Sequence, residues 1–275
     1  MTLKRLDRRA LFASGAAAAM LAAAGVSAGP LPQRGGKLRL ALSGASRTDS
    51  WMQGDGLLMQ VARQGLVYET LTEVAADGTL RGELATGWRS VDGTVWDFDL
   101  RRGVSFQDGA PFTAADVIHS LGALGEVQRL AADRVRIVLA QADPALPFTL
   151  ARAAHVIRPG HAPDAGIGTG LYRVRHFSAG QQLLADRVPA HWKDGHAGWF
   201  DTVELVSIPS APVRVQAVAE YLVDGADVAD AGALRGFDDI AVWDGQAVAR
   251  SVAMPAALGR GLFDDLRAPQ RWWGA

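Results

Sequence analysis

Between Trp88 and Val117 the chain reads W-R-S-V-D-G-T-V-W-D-F-D-L-R-R-G-V-S-F-Q-D-G-A-P-F-T-A-A-D-V, and no other stretch constrains the fold as much. Asp92-Gly93 is a tight-turn pair between two alternating runs, which predicts a β-hairpin with Trp96, Phe98 and Leu100 on the buried face of its second strand. Asp108-Gly109 marks a second turn. Thr113 then reads as the N-cap of a helix over Ala114–Leu124, with Asp116 at the third helical position as its acidic capping partner. Trp88, Trp96, Phe98, Phe106 and Phe112 are expected to form a core around the hairpin. Asp97 and Asp99 share the opposite face, open to two readings: a solvated strand face or a carboxylate pair.

The rest of the chain mixes strands and helices. Lys37–Leu42 alternates with period two and reads as a strand, followed by a polar loop from Ser43 to Asp55. Leu58, Val61, Leu66 and Leu71 have roughly helical spacing over 57–71. Further strands are expected at Arg134–Leu139, Tyr172–Phe177, Gln182–Asp186 and Val203–Ile208, with helices at Leu146–Ala154 and Pro212–Leu222, the latter with proline in its first turn. That order is not a strict alternation, so an α/β or α+β domain on a mixed sheet fits best. Beyond Gly225 the pattern weakens, with one strand expected at Asp239–Trp243. Trp272-Trp273 implies a tail, Phe263–Trp273, that packs back on the body.

Composition narrows the chemistry. The chain of 275 residues has no cysteine, 49% apolar and 21% charged residues and a net charge of −1. Disulfides, thiolate metal sites and cysteine nucleophiles are therefore excluded, and no broad basic surface points to nucleic acid. Residues 1–28 read as an export signal. Lys4, Arg5, Arg8 and Arg9 precede a sixteen-residue apolar run, Leu11–Val26, and Val26-Ser27-Ala28 supplies small residues for cleavage before Gly29. The run is shorter than the ~20 residues that span a bilayer. Arg8-Arg9-Ala10-Leu11-Phe12 resembles the twin-arginine export motif, with Asp7 where Ser or Thr is commoner. Cleavage would leave a periplasmic chain of net charge −4.

Catalytic patterns are weak. Gly25-Val26-Ser27-Ala28-Gly29 matches a serine-hydrolase elbow but straddles the cleavage site with no strand before it. Gly166-Ile167-Gly168-Thr169-Gly170 lacks the lysine and the spacing of a phosphate loop. His191 and His196 lie around a turn-like span and read as solvated loop residues, with a metal site as the alternative. No catalytic residue, metal ligand or cofactor follows, and the chain reads as a non-enzyme.

One family likeness covers about residues 36–230. Leu66-Val67-Tyr68-Glu69-Thr70-Leu71, Leu84-Ala85-Thr86-Gly87-Trp88, the Asp92–Arg101 hairpin, Gly103-Val104-Ser105-Phe106-Gln107-Asp108-Gly109-Ala110-Pro111 and Thr113-Ala114-Ala115-Asp116-Val117 occur in order. Gly168-Thr169-Gly170-Leu171-Tyr172, His191-Trp192 and Gly225-Ala226-Asp227 follow. Together they resemble the family 5 extracellular solute-binding proteins, the dipeptide, oligopeptide and nickel receptors of ABC importers. Leu171 replaces the proline of the family's G-T-G-P-Y. The resemblance implies a type II periplasmic-binding-protein-like lobe, a small solute such as a peptide as ligand, and an ABC permease as partner. It directs attention to the loops after sheet strands, hence to Ser43 and Trp51 in one and Gly170, Leu171 and Tyr172 in another, as ligand-binding candidates. For Trp51 two readings stand, a ring that stacks on ligand or a core tryptophan. In the family a second lobe follows the segment matching Asp227, and fewer than fifty residues follow it here. The expectation is one lobe, with 227–275 replacing the second and returning as a C-terminal segment. A non-transporting interaction module that docks or self-associates through the face of the missing lobe is the alternative.

Overall fold

β1 (Lys37–Leu42) forms where the alternation places it, and sends Leu38, Leu40 and Leu42 into one core and Ala41 into another. It lies at the middle of a seven-stranded mixed sheet. On one side β10 (Thr202–Ser207) pairs parallel to it, Lys37 opposite Thr202 and Leu42 opposite Ser207. β9 (Gln182–Arg187) and β8 (Tyr172–Ser178) continue antiparallel beyond β10. On the other side β11 (Gly225–Val228) pairs parallel, and β13 (Ser251–Pro255) and β12 (Ile240–Asp244) complete the edge. The computed structural model describes residues 34–75, 79–238, 240–244 and 251–255. The export signal and the Phe263–Trp273 tail lie outside the described residues.

α4 (Ala211–Ala219), with Pro212 in its first turn, carries the chain from β10 to β11 across β1. Its Ala217 and Val218 pack on Ala41, Ala226 and Val228, the core behind the sheet. The opposite face holds the larger core, built from the β1 leucines, Val203, Leu205 and the segment 57–68.

That segment departs from the expected long helix. α1 spans only Leu57–Gln60 and then widens into a π-helical turn, Val61–Val67, whose last bond runs from Tyr68 N–H to Arg63 O at 2.7 Å. Leu57, Leu58, Met59, Val61, Ala62, Leu66 and Val67 are all buried. An element buried on nearly every side, Arg63 and Gln64 included, has no solvent stripe to keep to a 3.6-residue period, which leaves its winding to the surrounding packing.

A second layer carries the hairpin. β4 (Ala85–Ser90) and β5 (Val95–Leu100) pair as expected, and β7 (Arg134–Val138) and β6 (Glu126–Ala131) extend them into a four-stranded sheet. Trp96, Phe98, Leu100, Phe106 and Phe112 are buried in one core, with Trp88 half-buried against it. α2 runs Ala114–Leu121, one turn shorter than expected. Asp116 accepts from Thr113 N–H at 2.8 Å and from the Thr113 hydroxyl at 2.9 Å, and its other oxygen takes Gly160 N–H at 3.0 Å. The expected helix after Leu146 shrinks to α3 (Leu146–Thr149) and a 3₁₀ turn at Ala153–His155. β2 (Thr72–Val74) and β3 (Leu80–Gly82) form a short ribbon between the layers.

The outer face of the hairpin is solvent-exposed, as the first reading has it, and Asp97 and Asp99 are paired with arginines rather than with each other. Register sets Asp97 between Arg89 and Arg136, and Asp99 beside Arg134. Arg136 reaches Asp97 at 2.7 and 3.0 Å, Arg89 reaches it at 3.2 Å, and Arg134 reaches Asp99 at 2.6 Å. The Arg136 hydrogen bond holds the Asp97 carboxyl below the usual carboxylate range, against the opposing effect of burial. A depressed folded pKa contributes stability that is fully present above the unfolded value of about 3.9 and lost as pH falls through the folded one. Asp97→Asn should therefore flatten the acid limb of the stability curve while leaving the fold intact. Urea unfolding from pH 7 down to pH 2 checks this, and an unchanged acid limb contradicts it.

Candidate functional site

The sequence candidates fall at opposite ends of the large sheet. Ser43 follows the C-terminal end of β1, whereas Arg173 is aligned through Asp186 and Thr202 with Lys37, at its start. Six residues of strand separate the two ends by roughly 17 Å.

At the Ser43 end the parallel strands β1 and β11 close on one carboxylate. Asp227 accepts from Ser43 N–H at 2.8 Å and from the Ser43 hydroxyl at 2.7 Å. Arg214, from α4, donates its Nη2 to the same carboxylate at 3.3 Å and its Nε to the Asp227 carbonyl at 2.6 Å. Both partners are buried, at 4% and 3% exposure. Ser43 is thus held as part of the strand-end frame. Trp51 is buried in the larger core, its ring centroid 5.1 Å from Phe177 and 6.0 Å edge-on from Tyr68. Gly166 has a left-handed φ of +69°, and a Cβ there would lie 2.5 Å from the Trp51 ring.

Arg63 rises from the π-turn and binds the loop that carries Trp51, donating to the carbonyls of Gly54 at 2.8 Å and Ser50 at 2.7 Å. Arg158 lies over the Tyr68 ring at 5.8 Å. The Nε groups of Arg63 and Arg158 are buried with no hydrogen-bond partner among the described residues. Burial lowers the pKa of both guanidiniums, and pushes the Tyr68 phenol up to about 12. Two desolvated guanidiniums therefore lie around Tyr68 and Trp51, each with a buried Nε–H that no described residue accepts.

The other end is built on close backbone approach. A Cβ on Gly168 would meet Val67 O at 1.9 Å, and one on Gly170 would meet Leu66 O at 2.3 Å, so only glycine fits at either position. Leu171 and Tyr172 point into the core, where the Tyr172 hydroxyl donates to Phe200 O at 3.1 Å. Gly170 alone of the five candidates lines an open cleft of about 390 Å³ between the two layers. Gln107 crosses its base, donating to the carbonyls of Gly170 at 3.0 Å and Tyr172 at 2.8 Å. His191 also lines it, but as a buried residue rather than the solvated one expected. Its Nε2–H donates to Thr169 O at 2.8 Å while its Nδ1 accepts Lys193 N–H at 3.1 Å, which engages both nitrogens. No group of three or more His, Asp or Glu suited to a metal exists among the described residues.

Sequence reading missed the residue that closes the back of this region. Lys193 is buried with its Nζ 2.7 Å from Glu83, 3.1 Å from Glu69 and 3.7 Å from Glu73. Arg214 was missed as well, since a lone arginine on a short helix carries no signal of its partner.

A mixed sheet whose parallel centre ends at Ser43 and Asp227, with a second small sheet attached, is one lobe of a type II solute-binding fold. The same arrangement occurs in the ABC transporter-associated periplasmic binding protein DppA of Helicobacter pylori, solved with the peptide STSA. That structure superposes with a TM-score of 0.66 at 20% identity, covering 78% of this chain and 52% of that one. Residues 79–237 match the model of the bacterial extracellular solute-binding proteins, family 5 Middle. The chain belongs to that family. Protein XP55 of Streptomyces lividans is 33% identical over 153 residues, which cover 46% of this chain and 28% of that protein. The nickel-binding periplasmic protein of Escherichia coli K12 is 45% identical over 56 residues, 20% of this chain and 11% of that one. The chain thus spans under a third of these curated relatives and about half of the solved chain.

Asp227→Asn should leave Arg214 as a buried, uncompensated cation and cost about 3–5 kcal/mol of stability. Urea unfolding reads this. A loss below about 1 kcal/mol would mean that the strand-end frame does not depend on the pair.

Proposed function

We propose that this protein is an exported solute-capturing component of an ABC importer, and that it takes a peptide or a comparable small solute at the Ser43 end of its sheet. One observation carries the reading. β1 and β11 run parallel and both end at this edge, the side on which open α/β sheets take ligands. The loop around Trp51, fastened by Arg63, lies beside that edge. Membership of a solute-binding family and the peptide held by the H. pylori protein support the same class of ligand. No enzymatic step enters this reading, and a nucleic-acid partner has no basic surface to recommend it. Residues 1–28 act in it as a cleaved leader, routed through the twin-arginine system by Arg8-Arg9.

A second reading, a periplasmic interaction module that binds a protein or its own copy, rests on the edge of the sheet. After β11, the described strands β13 and β12 pair beside it in the same sheet. In this reading the protein works as a single lobe that presents this edge to its partner.

Native mass spectrometry of the protein purified from the periplasm without denaturation separates the two. Transport predicts a chain beginning at Gly29 with a reproducible extra mass that leaves on gentle activation. An unliganded mass, unchanged by peptide mixtures or nickel, contradicts solute capture and favours the interaction module. Replacing Arg8 and Arg9 by lysine should keep the precursor in the cytoplasm, and normal export of that variant would contradict the twin-arginine route.

A further inference from the structure

The cleft at the opposite end of the sheet has no part in the reading above, and it is furnished as a site in its own right. Its volume of about 390 Å³ falls within the ~300–1,000 Å³ of small-molecule pockets. Val104, Phe106 and Val188 give it apolar walls, and no carboxylate lines it among the described residues. Thr169, 2% exposed, lies in its lining with a buried hydroxyl that has no hydrogen-bond partner among the described residues. A buried hydroxyl left unpaired costs free energy unless something completes it. Arg173, at the mouth, donates one Nη2 hydrogen to Gln107 O and has no other partner among the described residues. The only other ionisable group in the lining, His191, is committed through both nitrogens.

We propose that this cleft is a second binding site, which takes the carboxylate of a small organic acid with an apolar body. Arg173 supplies the planar fork that matches a carboxylate, and Thr169 supplies one further hydrogen bond deeper in. The single cation and the apolar walls select against inorganic phosphate, which draws on several donors and offers nothing to Val104 or Phe106. Because Gly168 and Gly170 are seated against the backbone of 66–67, the Thr169 segment between them is rigid and the site is preformed.

The test is an amide-resolved NMR titration of the full chain with N-acetyl-leucine, and with N-acetyl-leucinamide as its uncharged counterpart. The acid should produce saturable shifts at 103–107, 168–173 and 188–192, and the amide should bind at least about 10-fold more weakly, the loss of one charge-assisted pair. Arg173→Gln should lose about 10-fold in affinity for the acid. Thr169→Val should weaken binding several-fold yet unfold no earlier than the parent, since that hydroxyl has no bond to lose. Equal binding of acid and amide, unchanged affinity in Arg173→Gln, or shifts gathered around Ser43–Trp51 would each overturn the assignment. So would the lack of any saturable shift at millimolar acid. None of these results depends on whether the Ser43 end captures a peptide.

Discussion

One lysine holds the two layers of this protein in register. Lys193 comes from the loop after β9 of the large sheet, and its three carboxylate neighbours come from the connection to the small one. Each carboxylate is also fastened elsewhere. Glu83 accepts from the Thr70 N–H and hydroxyl at 2.8 and 2.7 Å, Glu69 accepts from the Trp192 indole at 3.2 Å, and Glu73 accepts from Arg81 at 2.7 Å. Taking such charges out of water is costly, and a network of this kind need not add net stability over an apolar replacement. What it does is penalise every arrangement in which a carboxylate loses the ammonium. Slippage between the layers is therefore opposed more sharply than by the apolar contacts, which have no direction of their own.

Several features of the sites follow from that anchor. Trp192 is fixed between Arg101, 3.8 Å above its ring, and the Lys193 ammonium 4.6 Å away, with His191 stacked at 5.7 Å. His191 in turn grips Thr169, so the wall of the cleft and the Gly168–Gly170 segment are one rigid assembly. The far end of the sheet has its own frame of the same chemical kind, Asp227 between Ser43 and Arg214. A buried lysine–carboxylate network on one side and a buried arginine–aspartate pair on the other thus brace the two ends of the large sheet.

Much of the fold was legible because local chemistry and tertiary packing agree in it. The Asp92-Gly93 turn, the alternation of Trp96, Phe98 and Leu100, and the Thr113–Asp116 cap are each decided within a few residues, and all three form. β6 was invisible for the converse reason. It is an edge strand exposed along nearly its whole length, so Glu126–Ala131 has no buried face to alternate against. The winding of 61–67 escaped because an all-buried segment takes its geometry from its neighbours. The candidate site was legible only in part. Ser43 and Gly170 were grouped as loops after strands, but Ser43 follows the end of β1 whereas Gly170 precedes the start of β8, and β8 runs in the same direction as β1, which puts them at opposite ends. The Lys193 network joins residues 110 positions apart, and charged residues at that separation read as surface until the chain is folded.

Native-state hydrogen exchange on the parent and on Lys193→Met tests most directly whether this lysine couples the layers. Amides of β1 and of β5 should exchange through a common opening in the parent. If the network holds the layers in register, the substitution lowers the opening free energy of both strands together, by about 3–5 kcal/mol. Faster exchange confined to Ala190–His196, with β1 and β5 unchanged, would contradict the account.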